Sequence, residues 1–543
     1  MWARDCFKEA EPDRMRRIPF SVWVIAVLAA LLHMAPYWRA QKQAGPGWSF
    51  TGNISVSPDF IQYRSWFRQA QEAGVIVENK LTSEPNRPHI PVLPYYATGK
   101  ISSWTNWAPE FVFAYAGSLF AFGLTIVLFW TVREFLTSTH AVWWVFLSLM
   151  IGGGLGAHCK ILANLQAARD NALVNKLIIV PVESWPIFED YRSHYVFITL
   201  FDSHFTLAWL LGVMALLALY LALQRFSPLR LGTAVFLFGF STLMHVYEGV
   251  LWIVVTASIG YVLQVKKLLD RKATLTLAAC GLAAAACLGW VAYLHAQSGI
   301  PMPIWRSINI LISILLMAYP LAWGILAWGL AGYWRKAGLK ECFLLGWALG
   351  CVLVTLSGPF YQFPDRGTMT LPVPIFIMAG AIYFSYYKRV SARAALIAVL
   401  VMGATPVWAL AKLWVHTGRL NPEATYMFNH TAHREMVDLL KTRAGSNDIL
   451  MAQPPNVLWL APEYPGRHYA GHFALTVNYD GKLSRMDRFF ESTPEEQASF
   501  LRQQRIRFLY VDAKKDASRL GAVPGLNLLK SASIGALYEY NGG

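Results

Sequence analysis

The chain has 543 residues, of which 55% are hydrophobic, 14% aromatic and only 15% charged. Charged residues make up about 25% of an average soluble protein, so the composition excludes an ordinary soluble enzyme and predicts a polytopic membrane protein. The net charge of +15 does not indicate a nucleic-acid-binding protein, because most short basic clusters lie between apolar runs, where basic residues set topology. The six cysteines form no CxxC pair, so neither a disulfide framework nor a thiolate metal site is predicted.

The first apolar run follows Arg14, Arg16 and Arg17 and lacks a small-x-small cleavage site, which predicts a retained signal anchor. A membrane span needs about 20 apolar residues, and we expect about eleven transmembrane helices. A cytoplasmic N-terminal tail at 1–17 puts the basic loops inside and the region after the last span outside. The predicted spans of the transmembrane domain at 18–414 are 18–37, 110–131, 141–160, 197–223, 231–244, 247–263, 275–295, 308–333, 342–358, 370–386 and 395–414.

Two parts of the chain are predicted to lie outside the membrane on the outer face. The first is a large loop at 38–109, rich in aromatic residues and proline. The second is a small α/β domain at 421–543, with helices predicted at 430–443 and 494–504 and strands at 448–452, 507–512 and 536–540. The chain has no Walker A or G-x-G-x-x-G motif, so this domain has no nucleotide-binding fingerprint.

The stretch His245-Val246-Tyr247-Glu248-Gly249 places an imidazole, a phenol and a carboxylate inside an otherwise apolar run at 231–263. Ionisable groups at membrane depth cost about 2.5–3.5 kcal/mol each on insertion scales and are functional candidates by default. The run is too long for one ordinary span and suits two short helices that meet at this stretch, a common way to build a polar site in a membrane. The alternative is that the histidine and the glutamate only pair with neighbouring helices.

In this topology four groups of polar residues are predicted to lie on the outer face. A carboxylate near a cavity can act as a general base, and arginine suits phosphate because its planar fork offers paired donors. These residue types favour a lipid-phosphate substrate. Simpler interpretations stay open, namely a helix N-cap for the first acid, an interfacial anchor for the second group and a turn for the last. The candidates are Asp59; Asp202 and His204; His245, Tyr247 and Glu248; and Tyr361, Asp365 and Arg366.

Four features of this pattern carry a resemblance to a known family. A large outer loop with an acidic residue, Asp59, follows the first span, and the loop continues through 79–85 and a proline-rich piece at 88–91. The His245–Gly249 stretch is similar to an H-P-Y-E/D-type element, with Val246 in place of the proline, and the C-terminal domain contains Pro465-Gly466-Arg467 and Gly471-His472. On these features the chain resembles bacterial members of the GT-C superfamily of integral-membrane glycosyltransferases.

The resemblance implies a multi-pass protein of the bacterial inner membrane that uses a polyprenyl-phosphate-linked sugar as donor. It implies that Asp59 deprotonates the acceptor hydroxyl and that Arg366 holds the lipid phosphate as it leaves. It also implies that His245 and Glu248 position the donor. The acceptor would be a glycan, a lipid or a protein. No cofactor is required, although Asp59, Asp202, His204 and Glu248 could hold Mg²⁺ or Mn²⁺, which prefer oxygen ligands.

Two other functions stay open beside an inverting glycosyltransferase. The first is a non-catalytic GT-C-like protein that binds a lipid or glycan or assists assembly, which is favoured because Phe60 follows Asp59 where many relatives have a second acid. The second is a transporter, which the break at His245 allows. The absence of an inverted repeat of spans argues against a transporter.

Overall fold

The computed structural model describes residues 18–52, 54, 59–72, 74–155, 203–301, 316, 318–358, 366–387, 389–418, 428–453, 460–512 and 518–542. The helices in these ranges are α1 (Phe20–Gln43), α2 (Asp59–Glu72), α3 (Leu93–Thr105), α4 (Pro109–Phe135), α5 (Thr139–Ile151), α6 (Ser203–Gln224), α7 (Pro228–Met244), α8 (Glu248–Val265), α9 (Arg271–Ala296), α10 (Pro320–Arg335), α11 (Leu339–Leu356), α12 (Arg366–Thr370), α13 (Pro372–Tyr386), α14 (Ala392–Gly418), α15 (Thr431–Arg443), α16 (Tyr479–Glu491) and α17 (Pro494–Gln503). The strands are β1 (Trp48–Phe50), β2 (Ile76–Val77), β3 (Ile90–Pro91), β4 (Phe428–His430), β5 (Ile449–Ala452), β6 (Arg467–His468), β7 (Ile506–Asp512), β8 (Leu526–Ala532) and β9 (Gly535–Tyr540).

The described residues fall into two compact units. The helical unit takes those within Met1–Ala35, Tyr115–Leu288 and Arg306–Val415. The α/β unit takes those within Pro36–Ala114, Gly289–Trp305 and His416–Gly543.

Seven described helices are long and apolar enough to cross a membrane, judged by length and composition. Each predicted span overlaps a described helix at least in part. The chain is therefore a polytopic membrane protein, while the count of eleven spans stays a prediction. The seven are Phe20–Gln43, Pro109–Phe135, Ser203–Gln224, Glu248–Val265, Arg271–Ala296, Leu339–Leu356 and Arg366–Tyr386.

Two glycines of α11 let this helix pack closely against α8 in the helical unit. A Cβ atom at Gly346 would lie 2.4 Å from Cα of Ile259, and one at Gly350 would lie 2.6 Å from Cα of Val255. Their spacing is that of a G-x-x-x-G pair, in which small residues let two membrane helices approach backbone to backbone. This close packing against α11 fixes the position of α8, the helix that begins at Glu248.

The α/β unit is built on a five-stranded mixed sheet in the order β6-β5-β7-β9-β8. Successive side chains of a strand point to opposite faces, so neighbouring residues of β7 enter different cores. Phe508 packs with Met436 and Leu440 of α15 on one face, and Leu509 packs with Met486 of α16 on the other. The result is a sheet between helices, in which the three predicted strands, β5, β7 and β9, are the interior strands.

Segments of the first loop are built into this unit. Strand β1 pairs antiparallel with β4, with Ser49 opposite Asn429, and Thr82 forms an isolated bridge with Ala470. Ile61 and Leu81 belong to the core cluster on the α15 face of the sheet. The first loop and the C-terminal residues therefore share one hydrophobic core, a joining that the sequence did not predict.

Candidate functional site

The break between α7 and α8 brings a buried imidazole and a buried carboxylate together in the helical unit. Helix α7 ends at Met244 and α8 begins at Glu248, as the sequence predicts. Nδ1 of His245 lies 3.2 Å from Oε1 of Glu248, and the exposed fractions of the two residues are 4% and 1%. The bend that joins them is closed by the Glu248 N–H, which donates to the His245 carbonyl over 2.9 Å.

Ser241 contacts Glu248 and is in turn held by Trp252. The Ser241 hydroxyl donates to Oε2 over 3.4 Å, and Nε1 of Trp252 donates to the same hydroxyl over 3.2 Å. Trp252 lies one turn after Glu248 in α8, so helix periodicity could have indicated it, whereas Ser241 lies in α7, beyond the helix break, and no sequence pattern indicates it. A buried carboxylate held in this way has a fixed orientation, which suits a binding site.

His204, Tyr247 and Arg366 complete the cluster. The rings of His204 and His245 are 4.6 Å apart, centroid to centroid. The Arg366 guanidinium lies 5.1 Å from the Phe205 ring and 5.9 Å from the Tyr247 ring, within the range of cation–π contacts. The Arg366 guanidinium also interacts electrostatically with His245 and Glu248. The structure therefore gathers five of the nine predicted site residues in one place.

The backbone around Arg366 is packed too tightly for a side chain at the next position. A Cβ atom at Gly367 would lie 2.3 Å from the Cys351 carbonyl oxygen and 2.3 Å from Oγ1 of Thr355, both in α11. Nε1 of Trp347 donates to Oγ1 of Thr370 over 3.1 Å, which attaches the other end of α12 to the same helix. Helix α11 thus supports both the start of α12, at Arg366, and α8.

Asp59 lies in the α/β unit, as the first residue of α2, where the helix dipole favours a carboxylate. Its Oδ1 lies 3.2 Å from Nε2 of His472, which is wholly buried, while the Asp59 side chain is 40% exposed. Asp202, Tyr361 and Asp365 lie outside the described residues, so their assignments stay predictions. Among the described residues, no group of three histidine, cysteine or acidic side chains has a metal-binding arrangement.

A buried polar cluster in a bundle of apolar helices is typical of a polytopic membrane protein with a binding site among its helices. The sequence matches no protein-family model and no curated protein. Among solved structures, the chain is similar to the cryo-EM structure of arabinofuranosyltransferase AftD from Mycobacteria, with a TM-score of 0.53 and 14% sequence identity. The match covers 97% of this chain and 40% of that one, so the chain spans about two fifths of its length. At this identity the likeness shows the fold alone.

Proposed function

We propose that this protein transfers a sugar from a polyprenyl-phosphate donor to an acceptor on the extracytoplasmic face of the bacterial inner membrane, with inversion at the sugar. The observation that carries the proposal is the gathering of Arg366, His245 and Glu248 in the helical unit of a GT-C-like fold. The similarity to an arabinofuranosyltransferase supports a glycosyltransferase over a transporter.

In this proposal the helical unit binds the donor. Arg366 offers paired N–H donors and a permanent charge to the lipid phosphate, which gains charge as the sugar leaves. His245 and Glu248, held rigidly at the helix break, position the sugar, and His204 and Tyr247 line the same place. Asp202, Tyr361 and Asp365 are assigned to the same binding role.

In this proposal Asp59 acts as the general base. The acceptor oxygen attacks C1 of the sugar, the bond from C1 to the phosphate oxygen breaks, and polyprenyl phosphate leaves with the electron pair. The acceptor hydroxyl proton passes to Asp59, whose side chain is partly exposed and so open to a substrate. The reaction needs no resident cofactor. The acceptor, a glycan, lipid or protein, is left open by this assignment.

Donor binding is tested by native mass spectrometry of the detergent-purified protein with polyprenyl-phosphate-linked arabinofuranose, glucose, galactose and mannose. We expect wild type to retain one of these lipids and Arg366→Ala to lose it, with partial retention in Arg366→Lys because lysine keeps the charge but not the fork. Arg434→Ala, at an exposed position of α15, is the matched control. No retention by folded wild type, or equal retention by Arg366→Ala, would contradict the donor site.

Catalysis is tested by release of polyprenyl phosphate from the retained donor in a membrane extract that supplies acceptors. We expect Asp59→Asn to lower turnover by about 10²–10⁴-fold, the range of general-base catalysis, with lipid retention unchanged. Asp480→Asn is the matched control, since Asp480 is an exposed acid in the first turn of α16 of the same unit. An EDTA arm separates the proposed metal-independent reaction from one that uses Mg²⁺ or Mn²⁺.

A second candidate function is a non-catalytic GT-C-like protein that binds a lipid or glycan. It is favoured by the single acid at Asp59 and by the contact of that acid with a buried histidine, since polar contacts of this kind also serve structure alone. Retention of a lipid-linked sugar by wild type, together with turnover that Asp59→Asn does not change, would select this function.

A further inference from the structure

His472 of the C-terminal residues meets Asp59 of the first loop inside the α/β unit. Its Nε2 lies 3.2 Å from Oδ1 of Asp59, and no part of the His472 side chain is exposed. The Asp59 side chain is 40% exposed, so it contacts a buried histidine while part of it is accessible to solvent. Sequence analysis marked Gly471-His472 as part of a family resemblance and gave it no role.

The hydrogen bond on the far side of the ring assigns its proton. The backbone N–H of Ala474 donates to Nδ1 of His472 over 3.2 Å. A backbone N–H can only donate, so Nδ1 carries no proton, and the proton of the neutral ring lies on Nε2, which faces Asp59. The Nε2–Oδ1 contact is not an aligned hydrogen bond in this structure. Such contacts in ligand-free enzymes often tighten only when substrate binds.

The turn that carries His472 is fastened to the loop that carries Asp59. Oγ1 of Thr476 accepts from the backbone N–H groups of Gly471 and His472 and donates to the Leu81 carbonyl over 2.6 Å. A Cβ atom at Gly471 would lie 2.8 Å from Cα of Leu81, so only glycine allows this approach without a shift. The ring is therefore fixed before any substrate arrives, as expected of a group that orients a catalytic residue.

We infer that His472 is a positioning residue that orients the Asp59 carboxylate toward the acceptor hydroxyl. The inference rests on the proposed function, in which Asp59 is the general base. The N–H of the buried ring faces Oδ1, and this contact favours one rotation of the carboxylate. Misplacing a reacting group by about 1 Å can cost about 10²-fold in rate.

Two substitutions of His472 test the contacts of its two ring nitrogens separately. In His472→Gln the side-chain amide nitrogen reaches the place of Nε2 and can still donate to Asp59. In His472→Asn the amide reaches only the place of Nδ1, so the Ala474 contact is kept and the Asp59 contact is lost. Both variants have similar volume and polarity. If the ring has only a structural role, both variants should lose activity equally. If it positions Asp59, His472→Asn should lose more activity than His472→Gln.

The experiment measures kcat and KM for the donor that wild type uses, with thermal unfolding in detergent as a fold control. We expect His472→Asn to lower kcat about 10–100-fold with the donor KM unchanged, and His472→Gln to keep kcat within about threefold of wild type. In the Asp59→Asn background, His472→Asn should cause no further loss, because the group it orients is absent.

Each alternative result has a distinct meaning. Unchanged kcat in His472→Asn, equal losses in both variants with equally lowered thermal midpoints, or an additive loss in the double variant would overturn the inference and leave the proposed function standing. Inactive wild type with every donor of the panel would overturn the proposed function and this inference with it.

Discussion

Nε of Arg64 donates to Oε1 of Glu110 over 2.7 Å, and both side chains are almost completely buried, with exposed fractions of 9% and 4%. The pair joins α2, which begins at Asp59, to the first turn of α4. Arg68 and Glu463 extend it into a small network, since Nη2 of Arg68 lies 2.7 Å from Oε1 of Glu463. The helix that carries the proposed base is therefore anchored by charge as well as by its apolar side chains.

Removal of the Glu110 charge should destabilise the α/β unit strongly. Glu110→Gln leaves the buried Arg64 guanidinium without its closest anion, and breaking a buried pair in this way costs about 3–5 kcal/mol. Hydrogen exchange of α2 peptides in the full-length protein measures the change. Glu72→Gln, at an exposed position of the same helix, is the control and should change the free energy by less than about 0.5 kcal/mol. Similar exchange in both variants would show that the network does not stabilise α2.

Two buried histidines should make the α/β unit less stable as the pH falls below 6.5. Burial lowers the pKa of His468 to about 3 and that of His433 to about 4, both from 6.5. The folded state thus keeps both rings neutral, while the unfolded state takes up protons as the pH falls through 6.5. The free energy of unfolding therefore decreases as the pH falls from 6.5 toward the folded-state pKa. At pH 5 the decrease is about 2 kcal/mol for each ring.

Thermal unfolding between pH 7.5 and 5 measures this dependence, which His468→Gln should reduce because the titrating group is gone. His140→Gln, which replaces an exposed histidine of the helical unit, is the control and should leave the dependence unchanged. A pH dependence that is the same in wild type and His468→Gln would mean that other groups cause it.

A single methyl group added where α11 packs against α8 should destabilise the protein. In Gly350→Ala the new Cβ would meet the Val255 backbone, and overpacking of this kind costs about 1–3 kcal/mol, more than the ~1 kcal/mol that alanine gains in helix propensity. Gly324→Ala in α10 is the matched control, because a Cβ there meets nothing within 4 Å. We expect lower thermal stability and weaker lipid retention in Gly350→Ala only. Equal thermal stability and lipid retention in the two variants would contradict the close packing of α11 against α8.

Two exposed tryptophans precede α4 and should lie at the level of the lipid headgroups. The exposed fractions of Trp104 and Trp107 are 79% and 56%, and the apolar helix α4 begins two residues after the second. Tryptophan is enriched at this depth because one end of its ring system is apolar and the other polar. In brominated-lipid bilayers we expect quenching of the fluorescence of wild type to fall in Trp104→Phe/Trp107→Phe but not in the control Trp66→Phe, which replaces a partly buried tryptophan of the α/β unit. Equal quenching in the two variants would place this segment away from the lipid.

Local patterns in the sequence were enough for the apolar helices and the helix break. Apolar runs predict membrane helices because each helix satisfies its own backbone, and the polar stretch at His245–Glu248 breaks such a run. Alternation of apolar residues likewise predicted β5, β7 and β9. These are properties of neighbouring residues and need no knowledge of the rest of the chain.

Long-range contacts could not be predicted in the same way. The pairing of Asp59 with His472 depends on a turn held by Thr476 against Leu81, and no period or motif in the sequence signals it. The Gly346/Gly350 spacing is visible in the sequence, but the helix it packs against is not. Arg366 was predicted from its residue type and topology, whereas its contacts with Phe205 and Tyr247 needed coordinates.

The pairing of β1 with β4 has a consequence for biosynthesis. Ser49 and its partner Asn429 are 380 residues apart, and a ribosome that adds about 5–20 residues per second needs about 20–80 s between them. During that interval the loop that carries Asp59 lacks its strand partner, its histidine and the C-terminal residues that pack against Ile61 and Leu81. The growing chain can insert its membrane helices one after another, yet its proposed base meets its histidine only after Gly471-His472 has been synthesised. Under the proposed function, a chain interrupted before His472 has no oriented base.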